Sequence, residues 1–233
     1  MKRTIMPLSF GFEMEGEFTY HFISKLSHDL DIDEDDDEYW TEDGSVRHRN
    51  PSINIQEGIE EFRSPVFAGK NNLSALISLL KKFTKHNGYY SNPSAGLHFH
   101  IGVATGHDTW DRKTLMNLFG DWKWIKEMQD KAMRWSEAER KRIDESTFTP
   151  RYSGKKQFIR DINDDSKYRF VRYHPQGTLE FRFLLTTNSN ADKVKQVKWI
   201  IKEVLDKMNK PLEKPVRALI RDTRKRQEAI INL

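Results

Sequence analysis

Four short segments of this chain each set two charged or metal-ligating residues around one large apolar residue. They are Glu13-Met14-Glu15, Glu61-Phe62-Arg63, His98-Phe99-His100 and Glu180-Phe181-Arg182. Side chains of a β-strand alternate between faces, so residues i and i+2 point the same way. Read as strands, all four segments have one polar and one apolar side. If they share a sheet, helices must cover its apolar face. Its polar face then gathers Glu13, Glu15, Glu61, Glu180, His98, His100, Arg63 and Arg182. Carboxylates crowded in this way repel one another unless cations lie between them. The register of the second segment is the least determined, because Glu60 precedes Glu61 and a slip of one residue exchanges the two. Taken singly, each pair also fits a solvated strand edge or a cross-strand ion-pair set. It is the fourfold repetition that argues for a shared site.

Apolar periodicity supplies the framework around these segments. Residues 8–20 alternate around Phe10, Phe12, Met14 and Phe18 and are expected as a strand. Further strands are expected over 57–64, stopping at Ser64-Pro65, and over 95–103, 168–173 and 177–185. A helix is expected over 72–87, where Leu73, Leu76, Ile77, Leu80 and Phe83 form one stripe and Gly88 supplies the stop. A second is expected over 112–145, with Leu115, Phe119, Trp122 and Ile125 on one face, and two more follow at the C-terminus, parted near Pro211 and Pro215. No Gly-rich phosphate loop occurs, and the strands carry charge on one face, which argues against a parallel Rossmann-type sheet. The expected class is α+β in a single domain over 1–233, with a sheet core at about 8–185 and C-terminal helices at about 190–230.

Charge and composition narrow the chemistry. Residues 29–38 hold eight acids and no bases, and read as a solvated loop ending at the turn Asp43-Gly44-Ser45. The aspartate spacing there imitates a calcium loop, but Asp36 occupies the place that needs glycine. With no cysteine in 233 residues, a thiol nucleophile, a disulfide framework and a thiolate zinc site are excluded, and a reducing compartment is indicated. Lys2 and Arg3 precede only a short apolar stretch, interrupted by Glu13, so neither a secretory signal nor a membrane span is expected, and a cytoplasmic location is. From Lys193 onward twelve Lys/Arg face five Asp/Glu. An amphipathic helix with a solvated basic face accounts for this, and a nucleic-acid contact is the alternative. Hard oxygen donors with an occasional imidazole suit Mg²⁺ or Mn²⁺. Several such ions beside arginines describe a polyphosphate site.

In order along the chain stand Phe10-Gly11-Phe12-Glu13-Met14-Glu15, Asp43-Gly44-Ser45, Glu61-Phe62-Arg63-Ser64-Pro65, Gly96-Leu97-His98-Phe99-His100 and Thr178-Leu179-Glu180-Phe181-Arg182. This series resembles the amidoligase family, a branch of the glutamine synthetase and glutamate–cysteine ligase superfamily, in five short blocks over residues 8–185. The resemblance implies a glutamine-synthetase-like catalytic domain. Its curved, largely antiparallel sheet would carry helices on one face and a polar metal and ATP site on the other. It also implies an activity: a substrate carboxylate takes the γ-phosphoryl group of ATP, with two or three divalent ions, and an amine then displaces phosphate. Glu13, Glu15, Glu61, His98 and Glu180 would be metal ligands. His100, Arg63 and Arg182 would contact the nucleotide. Arg182, Glu61 and Asp43 would act at the reacting atoms, Asp43 through a third metal or the incoming amine. One departure stands out. Family members often carry an Asn shortly before the final strand, where this chain reads Tyr168-Arg169-Phe170-Val171-Arg172. The identities of the acid and the amine are left open. Two rival readings use other chemistry: a metal-dependent phosphohydrolase, and a nucleic-acid-binding protein using the basic C-terminus.

Overall fold

The computed structural model describes residues 8–42, 46, 60–68, 72–85, 88–91, 95–103, 118–132, 171–174, 176–186 and 190–209. Within them the chain is a mixed α and β structure around a six-stranded sheet whose strands lie side by side in the order Trp40–Thr41, Glu61–Arg63, Leu8–Glu15, Gly96–Val103, Thr178–Leu185 and Val171–His174. In chain order, β1 is Leu8–Glu15, β3 is Trp40–Thr41 and β4 is Glu61–Arg63. They are followed by β6 at Gly96–Val103, β7 at Val171–His174 and β8 at Thr178–Leu185. Every pairing recorded in the sheet is antiparallel. The small strands β2, Glu17–Phe18, and β5, Tyr89–Tyr90, pair with each other separately.

The period-2 pattern decides which face of the sheet is dry. Phe10, Phe12 and Met14 of β1, Phe62 of β4, Leu97, Phe99 and Ile101 of β6, and Leu179 and Phe181 of β8 are all buried in one apolar cluster. Met14 lies opposite Phe62 and Leu97, and Phe99 lies opposite Phe12 and Phe181, so the apolar residues of adjacent strands abut. Helices fill the space above them: α1 (Tyr20–Leu30), α2 (Asn72–Lys85), α3 (Trp122–Ala132) and α4 (Asn190–Asn209). From α2, Phe83 meets Phe12 edge-on and tilts against Phe62 and Phe22. In α4, Val197, Ile200, Ile201 and Val204 are buried while Lys195, Lys198 and Lys202 are exposed, which is an amphipathic helix with a solvated basic face. Ion pairs Lys131–Glu203 and Lys207–Asp121 join α3 to α4. No helix among the described residues is long and apolar enough to cross a membrane.

Three boundaries differ from the periodicity reading. The strand expected over 8–20 ends at Glu15, and α1 begins at Tyr20. Thr19 is the reason: its hydroxyl accepts from the Phe22 N–H as a helix N-cap, and Phe22, Ile23 and Leu26 recur at helical spacing on the buried side. At the other end Asp31 adopts the left-handed conformation at φ 57 and closes the helix, so only the acidic residues beyond it form loop. The helix expected over 112–145 is interrupted at Gly120-Asp121, where Asp121 caps α3 through its side chain to the Lys123 N–H. Its residues 112–117 and 133–145 lie outside the described residues, as does the second C-terminal helix. A third difference affects the site. Between Leu97 and Phe99 the register of β6 against β8 shifts by one, so two residues of β8 oppose His98. This bulge turns Leu184 back into the core, where strict alternation would have set it beside Arg182.

Candidate functional site

The polar side chains of the four segments meet on the face opposite the helices. Glu15 is opposite Glu61 and Glu13 is opposite Arg63 across β1 and β4. Glu13 is also opposite His98, and His100 is opposite Glu180. The ambiguity of Glu60 and Glu61 is resolved, since Glu61 opens the strand and Glu60 precedes it. Glu60 is buried, and its backbone bonds to Thr41 and Gly16. Asp43 lies outside the described residues.

His98 is the centre of the cluster. Its Nδ1 lies 2.9 Å from Glu13 Oε2 and 3.8 Å from Glu180 Oε1, and its Nε2 lies 3.2 Å from Glu15 Oε1. The second oxygen of Glu15 accepts the Gly96 N–H at 2.5 Å, so this side chain is held between His98 and Gly96, while Tyr89 Oη donates to the Glu15 backbone carbonyl. His100 Nε2 is 3.4 Å from Glu13 Oε1, while its Nδ1 is 3.0 Å from Thr178 Oγ1. Arg63 Nε donates to Glu61 Oε1 at 2.9 Å, though its own side chain is largely exposed. Arg182 Nη1 donates to Glu180 Oε1.

Two sets of three ligands follow from this geometry: Glu13, His98 and Glu180, and Glu15, Glu61 and His98. In each set one ligand atom per residue lies within 4.8 Å of the others. Carboxylate oxygens with one imidazole fit a hard or borderline divalent cation. Nδ1 of His98 faces the first set and Nε2 faces Glu15 of the second. A neutral imidazole has a lone pair on one nitrogen only, so His98 completes one set at a time.

Electrostatics explain how the face accommodates four carboxylates, three of them buried and Glu13 partly so. Burial alone would raise the Glu13 carboxyl, but the hydrogen bonds and charges of His100 and His98 hold it well below the usual range. Glu180 is likewise held down against its burial, by the charges of His100, Arg182 and His98. Glu61 goes the other way: burial, reinforced by the Glu13 charge, pushes it up to about 7. Burial opposes protonation of His98, yet the Glu15 charge and the Glu13 hydrogen bond raise it.

These shifts give the metal-free protein a pH dependence of definite sign. Glu61 and His98 keep their protons to higher pH when folded than when unfolded, so stability is lost as pH rises. For Glu61 the window runs from its ordinary value of 4.5 to about 7. For His98 it starts at 6.5 and extends upward. Glu13 and Glu180, shifted down, act oppositely but below 4.5. His174, shifted down by burial and by the charge of His100, opposes the trend below 6.5. The metal-free melting temperature is therefore expected to fall as pH rises from about 5 through about 7, and Glu61→Gln to flatten that fall. Melting curves across this range in a chelating buffer check it. A rise in the wild type would contradict the charge assignment.

Beside the carboxylates the face opens into a pocket of about 410 Å³, within the range of small-ligand sites. Its lining includes Gly11, Glu13, Arg63, His100, Gly102 and Thr178. Glycine at 102 keeps this floor low, because a Cβ there would come within 2.8 Å of Ser9 Oγ and 3.3 Å of Thr178 Cγ2. Glu38 and Tyr39, from the end of the acidic stretch, also border the pocket.

Two residues of the face escaped the reading of the sequence. On β7, Arg172 and His174 flank the buried Tyr173, the same i, i+2 arrangement for a fifth time. Arg172 lies opposite Glu180, and its Nη1 is 3.5 Å from Glu180 Oε2. The His174 ring stands edge-on to His100 with centroids 5.3 Å apart. The signal was present in the sequence as Arg172-Tyr173-His174. No protein-family model matches the chain, and no curated protein matches it significantly.

Proposed function

We propose that this chain is an ATP-dependent carboxylate–amine ligase of the glutamine-synthetase-like kind, acting with Mg²⁺ or Mn²⁺ through an acyl phosphate. The observation that carries the reading is the convergence of four carboxylates, two histidines and Arg182 on one sheet face beside a pocket of ligand size. Glu13, His98 and Glu180 would hold one cation, and Glu15 with Glu61 a second. Bound there, the cations would neutralise phosphate oxygens and polarise the transferred group. The residues of the chain supply the rest. His100, fixed by Thr178, and Arg63 stand at the pocket to contact phosphate oxygens. Arg182, set by Glu180, faces negative charge that develops as a carboxylate oxygen attacks the γ-phosphorus and the bond to ADP breaks. The amine nitrogen then attacks the activated carbonyl carbon, and phosphate leaves. Phosphorylation is needed because a carboxylate is a poor electrophile without a leaving group.

Hydroxylamine tests this reading directly, being small and nucleophilic. With ATP, Mg²⁺ and a panel of carboxylic acids, the protein is expected to form a hydroxamate with one of them, releasing ADP and phosphate in equal amounts. ATP loss without hydroxamate for every acid would indicate the phosphohydrolase instead. AMP and pyrophosphate would indicate an adenylate, and the acyl-phosphate route would be abandoned.

A further inference from the structure

Two arginines converge on Glu180. Arg182 Nη1 donates to its Oε1, and Arg172 Nη1 donates to its Oε2 across 3.5 Å. The carboxylate is fully buried, and Arg182 is only 6% exposed. Two guanidinium groups thus share one carboxylate. Glu13 of the same face is engaged by His98 and His100.

Hydrogen-bond accounting leads to the same place. A guanidinium has five N–H donors and no acceptor. The Nε–H groups of both Arg172 and Arg182 are buried, and neither has an acceptor among the described residues. Buried donors in folded proteins are nearly always satisfied, so a pair of such orphans on one face is informative. Each oxygen of Glu180 already faces one guanidinium Nη. The acceptor that would match two guanidinium forks is an oxyanion with several lone pairs. Access exists as well: among the described residues β7 is the last strand on its side of the sheet, and the Arg172 side chain is 19% exposed.

We propose that Arg172 and Arg182, oriented by Glu180 between them, form a two-guanidinium clamp that binds an oxyanion, either a phosphate group or a carboxylate. Glu180 holds the two forks before the anion arrives, so little rearrangement is needed on binding. The clamp deepens the ligase reading and rests on it for its place in a reaction, since Arg182 belongs to both. Anion binding itself needs no turnover, and the two ideas can therefore fail separately.

The experiment titrates the full chain with inorganic phosphate and, in parallel, with acetate, reading affinity by calorimetry. The wild type is compared with Arg172→Met, which keeps the length of the stem, and Arg172→Lys, which keeps the charge without the fork. Arg172→Met is expected to weaken binding of one of the two anions by about tenfold or more, the scale of one charge-assisted hydrogen bond, with Arg172→Lys recovering only part. Loss confined to phosphate assigns the clamp to a phosphoryl group, and loss confined to acetate assigns it to the substrate acid. Unchanged affinity for both anions in a folded variant overturns the clamp. If the variants fail to fold, the wild type decides: phosphate or acetate must raise its melting temperature beyond chloride of equal ionic strength, and no such rise overturns the proposal. Hydroxamate formation with unaltered anion binding in Arg172→Met would keep the ligase and remove the clamp. Weakened anion binding without hydroxamate for any acid would do the reverse.

Discussion

Truncating Phe181 to alanine is expected to destabilise the protein by about 3–5 kcal/mol, the range for deleting a buried aromatic ring. Phe181 is fully buried at the middle of the sheet's apolar face. It lies opposite Phe99 on β6 and Val171 on β7, so its removal leaves a cavity between three strands. Antiparallel strands held in register on both sides cannot collapse to fill such a space. Denaturant unfolding of Phe181→Ala should show a large fall in midpoint with the slope retained.

One residue further along the strand, Arg182→Lys is expected to do the opposite. Lysine keeps a positive charge against Glu180, so the fold should lose little. The activity should fall by about 100-fold or more, the usual scale for removing one preorganised donor to a developing oxyanion. An ammonium is a compact point charge and cannot reproduce the planar, two-pronged contact of a guanidinium. Hydroxamate formation with the acid identified for the wild type is the measurement, with unfolding followed on the same sample. Full activity in Arg182→Lys would remove this residue from the reaction. A reversal, with Phe181→Ala stable and inactive, would mean that the two faces of β8 had been exchanged.

The two faces were legible in the sequence because alternation is a local property. Glu13 and Glu15 point the same way whatever lies beside them, since a strand backbone turns each residue to the face opposite its neighbours. The stripe of Leu76, Leu80 and Phe83 on α2 was readable for the same kind of reason, at helical period. What went unread was also local. Thr19 with Phe22, Ile23 and Leu26 carried a helix signal, hidden behind the strand pattern that runs into it. Arg172-Tyr173-His174 repeated the polar pattern at the end of a stretch read only as a short strand near 168–173.

Other features had no local trace. That Glu13 would meet His98 depends on two strands whose bonded residues stand 85 positions apart. The pairing of β1 between β4 and β6, and of β8 with β6 and β7, follows from how the apolar sides pack under the helices. The bulge opposite His98, which returns Leu184 to the core, is a compromise between two strands and belongs to neither alone. So is the contrast between Glu13, held low by two imidazoles, and Glu61, pushed up to about 7 by burial and by Glu13 itself. The sequence alone determined which side chains share a face, because backbone geometry decides that residue by residue. Which of them touch, and which ring nitrogen faces which carboxylate, were decided by strand order and register, which only the packing of the whole chain selects.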